Sequence, residues 1–306
     1  MPSVSLPDQV RAACVWVMGR ARWVRVEEEA IEEYAAGLTG ARETTDVPGT
    51  HRDPEAATAF AICMNAINFG SGWWPTIRKR DSLSGYGTME AGLSERFASA
   101  GPWTPEELAA MDAPTIAAVV GQDPEHPLMT QFAAALRDVG THVRGDHGGR
   151  FLGVVETVDS IPALAGLLAG WDAFADVSRY EGRQVPFYKR AQIAAADLHR
   201  ARAADLPGHE RLTAFADNLV PHVLRVDGVL RLDPELTARI EAGELLAHGS
   251  PEEVELRAAA VHAVELLAAA TGGALTPAEI DSALWNRGRA HRYKSIPRPR
   301  SRNTAY

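Results

Sequence analysis

Apolar residues recur at helical spacing along most of this chain and almost nowhere at the two-residue spacing of a half-buried strand. Long Ala- and Leu-rich stretches such as Pro251 to Ala270 are strong helix formers. Helix starts are marked by a capping residue followed by proline at Asp53-Pro54, Thr104-Pro105, Asp233-Pro234, Ser250-Pro251 and Thr276-Pro277. Proline is tolerated at the first helical position. Glu107, Glu253 and Glu279 stand three residues after their Ser or Thr, the spacing of a capping box. The pattern predicts a mostly α fold with at most a few short strands, the candidate strand being Phe151 to Val158. Loops are predicted at Thr39 to Asp53, Gly70 to Thr88 and Gly145 to Gly149, where helix-stopping residues cluster.

One stretch breaks its own pattern. In LTAFADNLVPHVLR, Leu212, Phe215, Leu219, Val220 and Val223 share an apolar helical face, which predicts a buried helix over 212–225. Asp217 lies within it, and Pro221 lacks the N–H that the carbonyl of residue 217 would accept. Two roles suit Asp217. It can cap a helix that starts near it, or it can be a carboxylate held at a water-poor cavity, where a cation such as Lys189 favours its charged form.

Three other stretches carry candidate chemistry. VPFYKRAQIAAADL predicts a helix from about Pro186, with Lys189 near its first turn, against the helix dipole. Lys189 is then either an exposed lysine on a polar face or a cation offset by a nearby anion. NAINFGSGWWPTIRKR ends a helix at Asn68-Phe69-Gly70 and enters a loop carrying Trp73 and Trp74. Flat rings and an Asn amide suit the face and edge of a planar heterocycle, although a loop anchored by its own tryptophans reads the same way. In ALTPAEIDSALWNRGRAHRYK, Asp281 and Trp285 lie one turn apart on a helix. Asp281 either pairs with Arg289 or faces a ligand with the indole and the arginines. Among the histidines, His199 and His262 read as structural or exposed, and His51 stands out only because it precedes the helix containing Asn65.

Charge sharpens the picture more than composition does. The 306 residues are 46% hydrophobic with a net charge of −9. Residues 282–306 hold seven basic side chains and no acid, which leaves −16 on the rest. A basic segment on an acidic body folds against its own protein or forms one local anion site. Its Trp285, Tyr293, Ile296 and Tyr306 disfavour a solvated tail. The acidic balance opposes binding to duplex nucleic acid, which requires neutralising many phosphates. No run suits a membrane helix or a signal peptide, so a soluble cytoplasmic protein is expected. Cys14 and Cys63 fit neither a disulfide framework nor a metal-ligand spacing, and no metal or cofactor is expected. A boundary near residue 150 is conceivable, but the motifs fall on both sides of it, so the reading is one domain over 1–306 with a site built from both halves. Nothing in the sequence sets an oligomeric state.

Taken together, INFGSGWWPTIRKR, FYKRAQIAAADL, TAFADNLVPHVLR-x-x-GVL, and IDSALWNRGR with PRPRSRNTAY resemble the queuosine 5′-phosphate N-glycosylase/hydrolase family, the queuosine salvage proteins. The resemblance runs from about His51 to Tyr306 with the motifs in the family's order. It implies hydrolysis of the N-glycosidic bond of queuosine 5′-monophosphate, a small-molecule substrate, with release of queuine, a 7-deazaguanine base. It also implies a fold similar to helix-hairpin-helix DNA glycosylases, whose site pairs an Asp with a Lys. Asp217 and Lys189 match that pair. LPGHERLTA lacks the second glycine of the DNA enzymes' hairpin, in keeping with no binding to duplex DNA. The implied substrate-binding set is His51, Asn68, Phe69, Trp74, Phe215, Asp281, Trp285, Arg289, Lys294, Arg298, Arg300 and Tyr306. Among these, Phe69, Trp74 or Trp285 would stack on the base and some of Arg289, Lys294, Arg298 and Arg300 would hold the phosphate. Two rival readings are a glycosylase acting on modified bases in nucleic acid and a protein that binds queuine or its nucleotide without cleaving it.

Overall fold

A computed structural model of the chain describes residues 4–38 and 53–306, so His51 and most of the expected loop at Thr39 to Asp53 lie outside the described residues. The described chain is mostly α. Four short strands form two antiparallel pairs among the described residues, Val24–Val26 with Leu230–Leu232 and Val177–Tyr180 with Arg183–Pro186. The second pair is a hairpin whose turn residues Glu181 and Gly182 have φ of 45° and 81°, the left-handed backbone that tight hairpins need.

The capping signals hold locally. Thr104 and Thr276 each complete a capping box with the glutamate three residues on. Asp53 and Asp233 accept hydrogen bonds from the amides of Ala56 and Glu235. Ser250 accepts from the Glu253 amide, but the Glu253 carboxylate turns to the Gly249 amide instead, so that third box is only half made.

Phe151 to Val158 is not a strand. Residues Phe151–Glu156 form a short helix whose first two amides donate to the Glu55 carboxylate, at 2.5 Å from Phe151 and 2.8 Å from Leu152. A cap supplied from 96 residues away settles the conformation, and no local signal announces it.

The expected helix over 212–225 is also shorter than its pattern. It spans Val220–Val226, with Pro221 in its first turn, and the chain before it is buried but not helical. Other helices satisfy that backbone. The Gln192 amide group brackets Thr213, and Asp281 accepts from the Phe215 N–H. Likewise Pro186 ends a strand, and the following helix begins at Lys189.

The core is organised around the helix Pro251–Ala270, which packs against the helices Leu6–Met18, Ile31–Ala36 and Pro277–Arg287. Buried apolar side chains from both sides of residue 150 form one contiguous cluster. Trp73 belongs to it at 7% exposure, whereas Trp74 is half-buried.

The basic C-terminal stretch folds against its own protein. The Asn218 side chain donates to the Pro299 carbonyl, Leu246 N–H to the Arg300 carbonyl and Gly70 N–H to the Tyr306 carbonyl. Gly72 lies so close to the Ser301 carbonyl that a Cβ there would overlap it. Gly72→Ala is therefore expected to cost about 1–3 kcal/mol of stability through overpacking. It should also loosen the C-terminal stretch so that trypsin cuts faster after Arg300 and Arg302 in the folded protein; unchanged cleavage and an unchanged urea midpoint would contradict this close approach.

Candidate functional site

Two backbone irregularities place the expected Lys–Asp pair. Tyr188 has φ 50° and ψ 42°, a left-handed residue that turns the hairpin into the helix Lys189–Arg200. Lys189 is its first residue, and its N–H, left without an intrahelical partner, donates to Asp176 Oδ2 at 3.0 Å. The lysine side chain is buried at 6% exposure, and its Nζ donates to the Asn68 carbonyl at 3.2 Å. Burial pulls its pKa down to about 8, against the opposing pull of the Asp217 charge and, more weakly, that of Asp281.

Asp217 is 8% exposed and takes the capping role. Its Oδ1 accepts from the amides of Leu219 (2.8 Å) and Val220 (2.9 Å), capping the helix that Pro221 enters. Its Oδ2 has no hydrogen-bond partner among the described residues. One oxygen is thus fixed by backbone while the other stays available.

Asp281 is the third ionisable group. Its Oδ1 accepts from the Phe215 N–H at 2.9 Å, and it is 4% exposed. Burial first, and then the Asp217 charge, push its pKa well above the usual carboxylate range, with Lys189 opposing. Asp281 thus lies beside Lys189 and Asp217 in a water-poor setting that favours its neutral form.

The aromatic residues of the expected set differ in burial and in partners. Phe215 and Phe69 are buried, and Phe69 packs edge-to-face on Phe132 at 5.0 Å with the Arg190 guanidinium 4.9 Å over its ring. Trp285 is half-buried and meets Tyr86 edge-to-face at 5.8 Å. Trp74 lies against Gly85, where a Cβ would strike the indole, and carries the Lys79 ammonium 5.2 Å over its ring.

The basic residues separate by partner. Arg300 is committed to structure: its guanidinium donates to the carbonyls of Trp74 and Gly243, both at 2.9 Å. Arg289 is exposed over Trp285 at 5.6 Å. Arg298 is half-buried, with no hydrogen-bond or ion-pair partner among the described residues. Its pKa is lowered by burial and supported by Asp217, which places the two within electrostatic reach. The pKa of Lys79 is lowered by burial and then by Arg298 and Lys294, so both cations lie within electrostatic reach of Lys79. Tyr306 is buried over the Arg257 guanidinium, 4.8 Å from its ring centroid.

Several residues here escaped the sequence reading. Lys79 was readable only as part of a basic run, IRKR. Asp176 had no neighbouring motif. Arg257 did leave a trace, since it is the one Lys or Arg of the helix Pro251–Ala270 and precedes Ala258-Ala259-Ala260, where a cation packed into the core demands a buried partner.

With this geometry in view, the chain's relatives fall into one class. A family model described as queuosine salvage protein matches residues 49–306. A Sphaerobacter thermophilus protein named queuosine 5′-phosphate N-glycosylase/hydrolase is 32% identical, covering 95% of each chain. A Dictyostelium discoideum protein of the same name is 26% identical over 97% of this chain and 98% of its own. A Bos taurus protein, also of that name, is 32% identical over 56% of each. The chain belongs to the queuosine salvage protein family, and its enzyme class is that of an N-glycosylase hydrolase. No helix among the described residues is long and apolar enough to cross a membrane.

Proposed function

We propose that this chain acts in the cytoplasm, hydrolysing queuosine 5′-monophosphate to queuine and ribose 5-phosphate. The observation that carries the reading is the buried trio Lys189, Asp217 and Asp281, in which one carboxylate keeps a free oxygen and burial pushes the other's pKa up.

Breaking an N-glycoside builds positive charge on the sugar, so a fixed carboxylate near C1′ stabilises the oxocarbenium-like transition state. Asp217 Oδ2 supplies that charge and accepts a proton from the water that bonds to C1′. The bond from C1′ to the base breaks as the base nitrogen takes up its electron pair. A 7-deazaguanine has carbon where guanine has N7, so no proton can assist there. Protonated Asp281 instead donates to the departing base, and Asn68, whose Nδ2 donates to Asn65 Oδ1 at 3.2 Å, offers its side-chain oxygen to the base edge. Lys189 balances the charge of Asp217 while tethered to the Asn68 carbonyl. Phe69, Phe215, Trp74 and Trp285 supply ring faces and apolar walls for the base.

The 5′-phosphate is assigned to Lys79 with Arg298 and Lys294, the two cations within its electrostatic reach, none with an acidic partner in hydrogen-bond reach among the described residues. Arg300 and Tyr306 shape the wall behind them, and Arg289 lies at its rim. His51, outside the described residues, keeps its place in the substrate set from the family motif.

The test is incubation with purified queuosine 5′-monophosphate followed by chromatography. Free queuine and ribose 5-phosphate should accumulate in equal amounts over time. Quenching of tryptophan fluorescence without any free base would instead identify a binding protein. Turnover only on oligonucleotides, falling steeply with salt, would identify a nucleic-acid glycosylase.

A further inference from the structure

The backbone at Lys189 and the backbone at Asp217 are joined by one buried ion pair that belongs to neither motif. Asp176 Oδ2 accepts from the Lys189 N–H at 3.0 Å. Both oxygens of Asp176 receive the guanidinium fork of Arg257, at 2.9 Å from Nη1 and 2.7 Å from Nη2. A third N–H, that of Arg257 Nε, donates to the carbonyl of Ala216 at 3.0 Å, the residue before Asp217, while Nη1 also lies 3.9 Å from Glu253 Oε1. Each side chain of the pair is 1% exposed.

The guanidinium plane is also clamped from its faces. It lies 4.0 Å from the Phe187 ring centroid and 4.8 Å from that of Tyr306. Phe187 and Tyr188 both donate their N–H groups to the Asp176 carbonyl, so the residue that receives Arg257 also holds the turn into Lys189. A planar fork with a third, differently directed N–H can bridge a carboxylate and a carbonyl at once. A lysine ammonium in that position offers no such fixed geometry.

We propose that Arg257 and Asp176 are positioning residues that set the separation of Lys189 and Asp217, and so act on catalysis without touching the substrate. The inference rests on the proposed roles of that pair. An ion pair so deeply buried is weak evidence for stability, because desolvation offsets much of its attraction. Its geometry explains its presence better: three hydrogen bonds in series span the backbone from residue 189 to residue 216.

The variants are Arg257→Lys, which keeps the charge and loses the fork, and Asp176→Asn, which keeps the shape and can still accept from Lys189. Misplacement of a reacting group by about 1 Å costs on the order of 10²-fold in rate. Arg257→Lys is expected to lower kcat by about that factor while KM for queuosine 5′-monophosphate stays within about threefold. The alkaline limb of its pH–rate profile should also move, because Lys189 no longer meets Asp217 at the same distance. Asp176→Asn should show the same pattern at smaller amplitude.

A second arm uses hydrogen exchange and no substrate. In Asp176→Asn, protection should fall together in the segments 185–192 and 213–218, although the Asp176 side chain touches only the first. Wild-type kcat and an unmoved pH limb in folded Arg257→Lys would overturn the proposal. So would exchange confined to the directly touched segment, and this outcome stands apart from any failure of the proposed reaction. If Arg257→Lys does not fold, Asp176→Asn carries both arms.

Discussion

Asp217→Asn is expected to leave the protein folded and the nucleotide bound while lowering queuine release by 10³-fold or more, on the order of the largest single electrostatic contributions known in enzymes. The substitution is selective for a structural reason. An asparagine oxygen can still accept from the amides of Leu219 and Val220, and Asn is as good a capping residue as Asp. What disappears is the negative charge and the free oxygen facing the proposed site of the sugar. Binding read by quenching of Trp74 and Trp285 should therefore persist, and the thermal midpoint should hardly move. Asp217→Ala provides the contrast, since it should lose activity and in addition about 1 kcal/mol of capping stability. Near wild-type turnover in folded Asp217→Asn would remove the carboxylate from the mechanism.

The second large effect is the pH dependence set by Lys189. With a pKa pulled down to about 8, the ammonium is charged at neutral pH and loses its proton as the pH rises through that value. Activity is expected to be full below about pH 8 and to fall tenfold per pH unit well above it, as a single lost proton dictates. The stability contribution of the same group runs the other way. Its folded pKa lies below the unfolded value of about 10.4, so between about pH 8 and 10.4 the unfolded chain binds more protons and stability from this group rises with pH. Loss of activity without loss of fold above pH 8 is the signature to look for. Lys189→Met should abolish the limb along with most of the rate. A limb that survives in the residual activity of that variant would point to Asp281, the proposed proton donor, whose pKa burial raises. Stopped incubations at matched ionic strength, paired with denaturation at each pH, separate the two curves.

Much of the helical framework was legible residue by residue. Asp53-Pro54, Thr104-Pro105, Asp233-Pro234, Ser250-Pro251 and Thr276-Pro277 all begin helices, because capping satisfies amides within one turn and proline accepts the first helical position. The same local logic failed where a distant group supplied the partner. Glu55 made a helix of Phe151–Glu156, and Gln192 and Asp281 held residues 213 and 215 out of one. Apolar spacing over 212–225 reported burial correctly but not conformation, since a buried extended segment and a buried helix can bear the same residues.

The candidate site divides along the same line. Asp217 and Pro221 raised a local conflict visible in one short stretch, and the conflict resolves into a cap. That the Lys189 ammonium is buried, that Arg300 is spent on two carbonyls while Arg298 is not, and that Lys79 joins Arg298 and Lys294 all depend on groups far apart in the chain.

By itself, then, the sequence determined the helical class, the starts of its principal helices, the motifs and the residue types available for chemistry, because capping, backbone restriction and periodicity act over a few neighbouring residues. The tertiary structure alone decided which charges were taken out of water, which were paired and how far apart Lys189 and Asp217 stand. Those outcomes follow from desolvation and from hydrogen bonds such as Arg257 to Asp176 and Ala216, whose partners meet only after the chain has folded.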